Sequence, residues 1–148
     1  MVNKAKQCGD RWEREVSEEL GGKRQPSSGA FGSIHNDSSL VGDVVLEYPW
    51  LSRPLLIECK YGYGGATQMT IRREWLTKAR QQAAGARRLA ALAIKFRDVT
   101  SGDIGSAKVI CFNIDTWKKI ASEINDLYMQ YLSLLEKDFK GGEDDRPR

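Results

Sequence analysis

Histidine occurs once in these 148 residues, at position 35, and cysteine three times, at positions 8, 59 and 111. A structural zinc site needs four clustered nitrogen or sulfur ligands, and no Cys-x-x-Cys pair is present to begin one. Three isolated thiols in apolar surroundings also argue against a disulfide framework, and they read as buried, reduced side chains. Proline is scarce, at positions 26, 49, 54 and 147. No apolar run approaches the roughly 18 residues that would cross a bilayer. The opening Met1-Val2-Asn3-Lys4-Ala5-Lys6 is not followed by the apolar stretch of a secretory signal. These absences lead to the expectation of a cytoplasmic protein (host cytoplasm, if viral) with no membrane attachment.

What is present fits one domain with a core of its own. The expected domain is 1–138, followed by a charged, frayed tail at 139–148 that carries Glu143, Asp144 and Asp145. The net charge of +3 is mild, but basic residues cluster at Lys23-Arg24, at Arg72-Arg73 with Lys78 and Arg80, and at Arg87-Arg88. Clusters of that kind suit a polyanion.

Residues 4–20 predict a helix, because Ala5, Cys8, Trp12, Val16 and Leu20 recur every three or four positions. Gly21-Gly22 stops it. Residues 25–42 are rich in Ser, Gly, Pro and Asn and read as a long loop of the kind that often carries function, with room for a short strand near 31–35. Two strands follow, at 40–48 and 54–61. The segment 49–54 between them, with a proline at each end, turns the pair into an antiparallel hairpin. After a glycine-bearing loop, 71–85 predicts a helix with Ile71, Trp75, Ala79 and Ala83 on its buried edge. The apolar run 89–96 fits a strand covered on both faces; alanine would also favour an extension of that helix, but Gly85 interrupts and the run is short, so a strand is expected. Residues 98–106 read as a turn and 107–114 as a strand. Asp115 or Thr116 can cap a final helix. Its stripe of Trp117, Ile120, Ala121, Ile124, Leu127, Tyr128, Tyr131 and Leu135 either closes the core or pairs with a second copy. Together these make an α/β sandwich around a mixed sheet.

The chemistry concentrates in the hairpin. Gly42-Asp43 lies on its first strand and Ile57-Glu58-Cys59-Lys60 on its second. Fourteen residues separate Asp43 from Glu58, enough for two strands and a tight connection. Side chains two apart on a strand share a face, so Glu58 and Lys60 emerge together while Cys59 points the other way. Two neighbouring carboxylates repel one another unless a cation joins them. Magnesium uses one or two carboxylates with waters and phosphate, and Asp43 and Glu58 suit it, with the Cys59 backbone carbonyl as a further ligand. A bound ion polarises a phosphate and acidifies a water. Lys60 then either orients that water or stabilises the charge that develops on phosphorus.

Asp43 and Glu58-x-Lys60, preceded by a helix bearing Glu13, resemble the PD-(D/E)xK nuclease superfamily. Gly42 stands where the name of that motif has proline. Within the superfamily the chain is most similar to the archaeal-type Holliday junction resolvases, which also occur in phages. The similarity is carried by Gly9-Asp10-Arg11-Trp12-Glu13-Arg14, by Arg24 with Ser28-Gly29, by Gly42-Asp43-Val44-Val45, by Ile57-Glu58-Cys59-Lys60, and by Gly85 with Ala93-Ile94-Lys95-Phe96. It spans roughly residues 8–97.

The resemblance implies a restriction-endonuclease-like core and a magnesium-dependent enzyme, with manganese able to substitute. Asp43, Glu58 and Glu13 would be the acids of the metal site, Lys60 the catalytic lysine, and Ser28 (or Ser27) a loop serine near the scissile phosphate. Arg24 would touch the DNA backbone, and Arg72, Arg73, Lys78, Arg80, Arg87 and Arg88 could form a track for it. Trp75, Tyr61 and Tyr63 read as packing residues. The implied substrate is branched double-stranded DNA, cut by a symmetric homodimer that resolves four-way junctions. Other DNA substrates, restriction-like or flap, and binding without catalysis remain open.

Overall fold

The computed structural model describes residues 4–25, 42–62, 68–96 and 108–141. Helix α1 spans Lys4–Leu20, strand β1 Lys23–Arg24, β2 Val44–Leu46 and β3 Leu55–Tyr61. Helix α2 spans Arg73–Gly85, β4 Leu89–Lys95, β5 Lys108–Phe112 and helix α3 Ile114–Gly141. The strands form one mixed sheet in the order β1-β2-β3-β4-β5. Neighbours are antiparallel except β3 and β4, which run parallel. Parallel neighbours need a crossover, and α2 is that connection.

Alternation along the strands divides the core into two layers. Val44, Leu46, Ile57, Ala91 and Ala93 pack on one face with Trp12 and Val16 of α1 and Ile120 of α3. Val45, Leu56, Ala90, Leu92 and Ile94 pack on the other with Ala79 and Ala83 of α2. Both faces of β4 are therefore covered, and its continuous apolar run is a strand rather than more helix. Trp12 also donates its indole N–H to the Ala93 carbonyl at 3.1 Å, which fixes α1 on β4. Tyr48 donates to the Leu20 carbonyl at 3.1 Å and holds the other end of the helix. Gly22 passes so close to β2 that a Cβ there would lie 2.3 Å from Leu46 Cδ2.

Several boundaries differ from the sequence expectations. Of the described residues in the strand expected at 40–48, Val44–Leu46 are regular, because Gly42 turns with φ +80° and Asp43 follows in a bend. The two-residue strand β1 is too short and too polar for any periodicity to reveal. Ile71 precedes α2 and is exposed, so the buried edge of that helix starts at Trp75. The cap of α3 is neither Asp115 nor Thr116. Asn113 Oδ1 accepts from the Thr116 N–H at 2.7 Å, which satisfies one of the orphan amides of the first turn. The three thiols are free and half-buried rather than fully buried. The strand considered near 31–35 and the turn at 98–106 lie outside the described residues, as does everything from 142 onward. Helix α3 continues through Gly141, past the boundary expected at 138.

The final helix keeps its expected period but not its expected burial. Among its described side chains only Thr116 and Ile120 are buried, while Trp117, Ile124, Tyr128, Tyr131 and Leu135 are 44–57% exposed. No helix among the described residues is long and apolar enough to cross a membrane.

Candidate active site

Asp43 and Glu58 are, with Thr116, the buried polar residues of the described chain, at 9% and 8% exposure. Burying a carboxylate is costly unless something compensates it. The compensation here is local. Asp43 Oδ2 accepts from the backbone N–H of Cys59 at 2.6 Å. Its own backbone N–H donates to the Ile57 carbonyl, and its carbonyl accepts from Gln25. Past Ile57 the Asp43 side chain thus replaces the ladder partner that β2 no longer provides. Gly42 makes this possible. A Cβ there would lie 2.3 Å from Leu56 Cδ1, and φ is +80°. Proline, fixed near −65°, is excluded, which explains why this chain departs from the motif's name at that position.

On β3, Glu58 and Lys60 share the α2 face, as alternation requires. Lys60 Nζ donates to Glu58 Oε1 at 2.6 Å, with both side chains mostly buried. Trp75, two residues into α2, places its ring 5.5 Å from Lys60 Nζ and 5.8 Å from the Arg72 guanidinium. That is within cation–π range. The indole is therefore both a packing residue of the α2 layer and a spacer between two cations at the edge of the site. The sequence suggests only its packing role.

Glu13 is half-buried on α1 and accepts from Arg24 Nη2 at 2.9 Å. These two residues, eleven apart in sequence, are joined by the turn at Gly21-Gly22. The field of all three acids reaches one point. Burial, and then the charges of Asp43, Glu13 and Glu58, push the Cys59 thiol well above its ordinary range. The thiol stays protonated, a poor ligand for a soft metal. What remains is a set of oxygen donors with excess negative charge, the chemistry that a hard divalent cation suits. Among the described residues no three acids, thiols or imidazoles gather closely enough to form a complete cage.

Ser28 and Ser27 lie outside the described residues. Arg72 and Arg73 stand at the start of α2, where the Arg72 guanidinium lies over the Trp75 ring and is also paired with Glu74 at 3.4 Å. Lys78 is exposed farther along α2. Arg80 and Arg88 do not continue a track from Arg72. They line a separate cleft at the other end of the sheet, together with Arg53 and Lys119, which no sequence pattern singles out. Arg53 belongs to the proline-flanked turn. Only the parallel pairing of β3 with β4 brings it near Arg88.

A five-stranded mixed sheet with a helix on each face, and an acid pair with a lysine at a strand end, is a restriction-endonuclease-like core. Over residues 4–140 the chain matches the family described as "Phage putative PDDEXK endonuclease". It belongs to that family, and through it to the PD-(D/E)xK nucleases. Neither a curated protein nor a solved structure matched the chain.

Proposed function

We propose that this nuclease is a metal-dependent, structure-specific endodeoxyribonuclease that resolves four-way DNA junctions by paired phosphodiester hydrolysis. The observation that carries the catalytic part is the buried pair Asp43, in the bend that leads into β2 and bonded to the Cys59 N–H, and Glu58 on β3, with Lys60 held against Glu58 at 2.6 Å. Asp43, Glu58 and the Cys59 carbonyl would hold a magnesium ion, with manganese able to replace it. A strand residue presents its N–H and C=O to the same edge. The Cys59 carbonyl therefore faces the edge where Asp43 meets the Cys59 N–H. When bound, such an ion supplies polarisation of the scissile phosphate and a lowered pKa for a water ligand.

The other roles belong to the chain's own side chains. Lys60, steadied by Glu58 and the Trp75 ring, supplies positive charge where negative charge develops on the phosphoryl oxygens. Glu13 adds a third acid through water, and Arg24 holds it in place while offering its outer edge to the DNA backbone. Ser28, in the segment between β1 and β2, would approach the scissile phosphate. Arg72 and Arg73 contact phosphates at the mouth of the site.

The junction-resolving part needs two sites in one assembly. The exposed stripe of α3 supports that arrangement, since Trp117, Ala121, Ile124, Tyr128, Tyr131 and Leu135 follow the four-three alternation of a two-helix seam. Trp117, Ile124, Tyr128, Tyr131 and Leu135 of that seam are each about half exposed, so pairing with a second copy would take apolar surface out of water.

The deciding assay compares a labelled four-way junction, a plain duplex and a flap, each with magnesium and with chelator. Symmetric, magnesium-dependent nicking of the junction is expected. Equal cutting of plain duplex would favour a nuclease with another DNA substrate, and binding without cutting under any divalent ion would favour a non-catalytic role. Asp43→Asn and Lys60→Ala are each expected to lower cutting by about 10²–10³-fold or more, the loss typical of removing one group that stabilises the transition state. Junction binding should persist in both. Substantial cutting by either variant overturns the site.

A further inference from the structure

The end of the sheet opposite the acids carries a cleft of about 200 Å³. Its walls come from four places in the chain: Arg53 from the turn before β3, Arg80 from α2, Arg88 from the turn before β4, and Lys119 from α3. The fold explains the gathering. Parallel strands begin side by side, and here the Leu89 N–H donates to the Pro54 carbonyl at 2.9 Å. The residues that precede those two strand starts, Arg53 and Arg88, are thereby brought to one rim.

The charge of this cleft is lopsided. Asp115 is the one acid lining it. Lys119 is shared with Glu123 at 3.0 Å, so four cations stand against two acids. The two helix ends facing the cleft act in opposite senses on an anion, and the unfavourable one is partly masked. The first turn of α3 contributes Thr116 to the wall and so brings the positive end of a helix. The last carbonyls of α2, which would repel an anion, are occupied: Ala84 O accepts from the Arg87 N–H and Ala83 O from the Arg88 N–H.

We propose that this cleft is a second phosphate-binding site, one that holds the sugar–phosphate backbone of the nucleic acid away from the bond being cut. From Leu55 to Lys60 the strand advances about 17 Å at ~3.3 Å per residue, or roughly five base-pair steps at 3.4 Å each. A phosphate in the cleft therefore belongs to an adjoining part of the duplex or to another arm of a branched one. Planar guanidinium groups from separate elements suit bidentate binding of phosphate oxygens. The inference rests on the nuclease reading for its ligand but not on catalysis.

The test measures binding of a labelled hairpin DNA of about twenty base pairs by fluorescence anisotropy, in chelator, across a salt series. Three proteins are compared: the unaltered chain, the double variant Arg53→Ala/Arg80→Ala, and a control with equal charge loss on the outer face of α1, Lys6→Ala/Arg14→Ala. The cleft variant is expected to bind about tenfold more weakly at low salt. Its log–log salt slope should be shallower by about two, one for each phosphate charge no longer neutralised. Arg53→Lys/Arg80→Lys returns the charge without the planar fork, so it should restore the salt slope but only part of the affinity, whereas a merely misfolded variant would restore neither. Equal weakening in the α1 control would mean that general charge is responsible, and would overturn the proposal. So would thermal stabilisation by inorganic phosphate that the cleft variant loses while its DNA binding and salt slope stay unchanged, since the site would then serve free phosphate. Because no cutting is measured, a steep cleft effect in a protein that never cleaves would keep this site and reject the proposed reaction.

Discussion

Helices α1 and α3 carry the same kind of apolar stripe and meet opposite fates. In α1, Trp12 and Val16 lie at 4% and 2% exposure against the sheet, and a hydrogen bond to β4 anchors the helix. In α3, the stripe from Trp117 to Leu135 is about half exposed apart from Ile120, and the buried residues among its described side chains, Thr116 and Ile120, lie in its first turns, with Ile120 in the core. At 1.5 Å per residue its 28 residues extend about 42 Å, so most of it reaches beyond the sheet that could cover it. Periodicity specifies that a helix has an apolar face. It does not specify what covers that face, because a domain layer and a second copy demand the same spacing.

If α1 is structural and α3 associative, substitutions in the two should separate into different measurements. The largest effect belongs to α1. Trp12→Ala removes a buried indole and the partner of the Ala93 carbonyl, and should cost about 3–5 kcal/mol in denaturant unfolding. Tyr128→Ala, equally large on paper, should stay within about 0.5 kcal/mol at protein concentrations low enough to keep the chain monomeric. Similar losses for both would erase the contrast and make α3 part of the monomer's core.

The next effect reverses the order. Ile124→Glu places a charge in the middle of the α3 stripe and should raise the dissociation constant of the dimer more than tenfold, or about 1.4 kcal/mol. Sedimentation velocity over a concentration series measures this. A monomeric parent protein would sink the idea outright, and an unchanged dimer in the variant would move the interface elsewhere. Junction cutting should fall with dimerisation, while nicking of a single strand by each site persists.

Legibility in the sequence follows the range of the interaction involved. The helices α1 and α2 can be read from their periods, and β3 and β4 because each is a short apolar run bounded by a turn or by Gly85. Glu58 and Lys60 can be paired because strand alternation is local. Asp43 can be placed beside them because its strand is the immediate neighbour. What cannot be read depends on approach between distant segments. Arg53 meets Arg88 only through the parallel register of β3 and β4. Trp75 meets Lys60 only because α2 starts above the end of β3. Asn113 is within reach of sequence reasoning, since a residue with a short side-chain carbonyl just before a helix is a common cap. Asp115 and Thr116 compete with it only if the strand runs through Ile114, and it stops at Phe112. The basic residues mislead for the opposite reason: proximity in sequence suggests one track, and the fold separates it into the two ends of a sheet.

The smallest effect concerns the root of α3, where the helix is fastened to the body. Glu123 accepts from the Ser52 backbone N–H at 2.7 Å and from the Ser52 hydroxyl at 2.5 Å, and pairs with Lys119 at 3.0 Å. The Ser52 hydroxyl bond first, with its backbone bond and Lys119 assisting against partial burial, lowers the Glu123 carboxyl to about 2. Its folded pKa thus lies below the ordinary glutamate value of about 4.3. A depressed carboxylate contributes stability that is complete above the unfolded pKa and disappears as pH falls toward the folded one. The melting temperature of the parent chain should therefore exceed that of Glu123→Gln by a small, constant margin above about pH 5. That margin should narrow between about pH 4.5 and pH 2, where both proteins carry a neutral side chain. Thermal melts of the two proteins at half-unit pH steps measure the window. A margin that widens toward acid would mean that Glu123 is held protonated rather than ionised, and that α3 is fastened at its root by something other than this carboxylate.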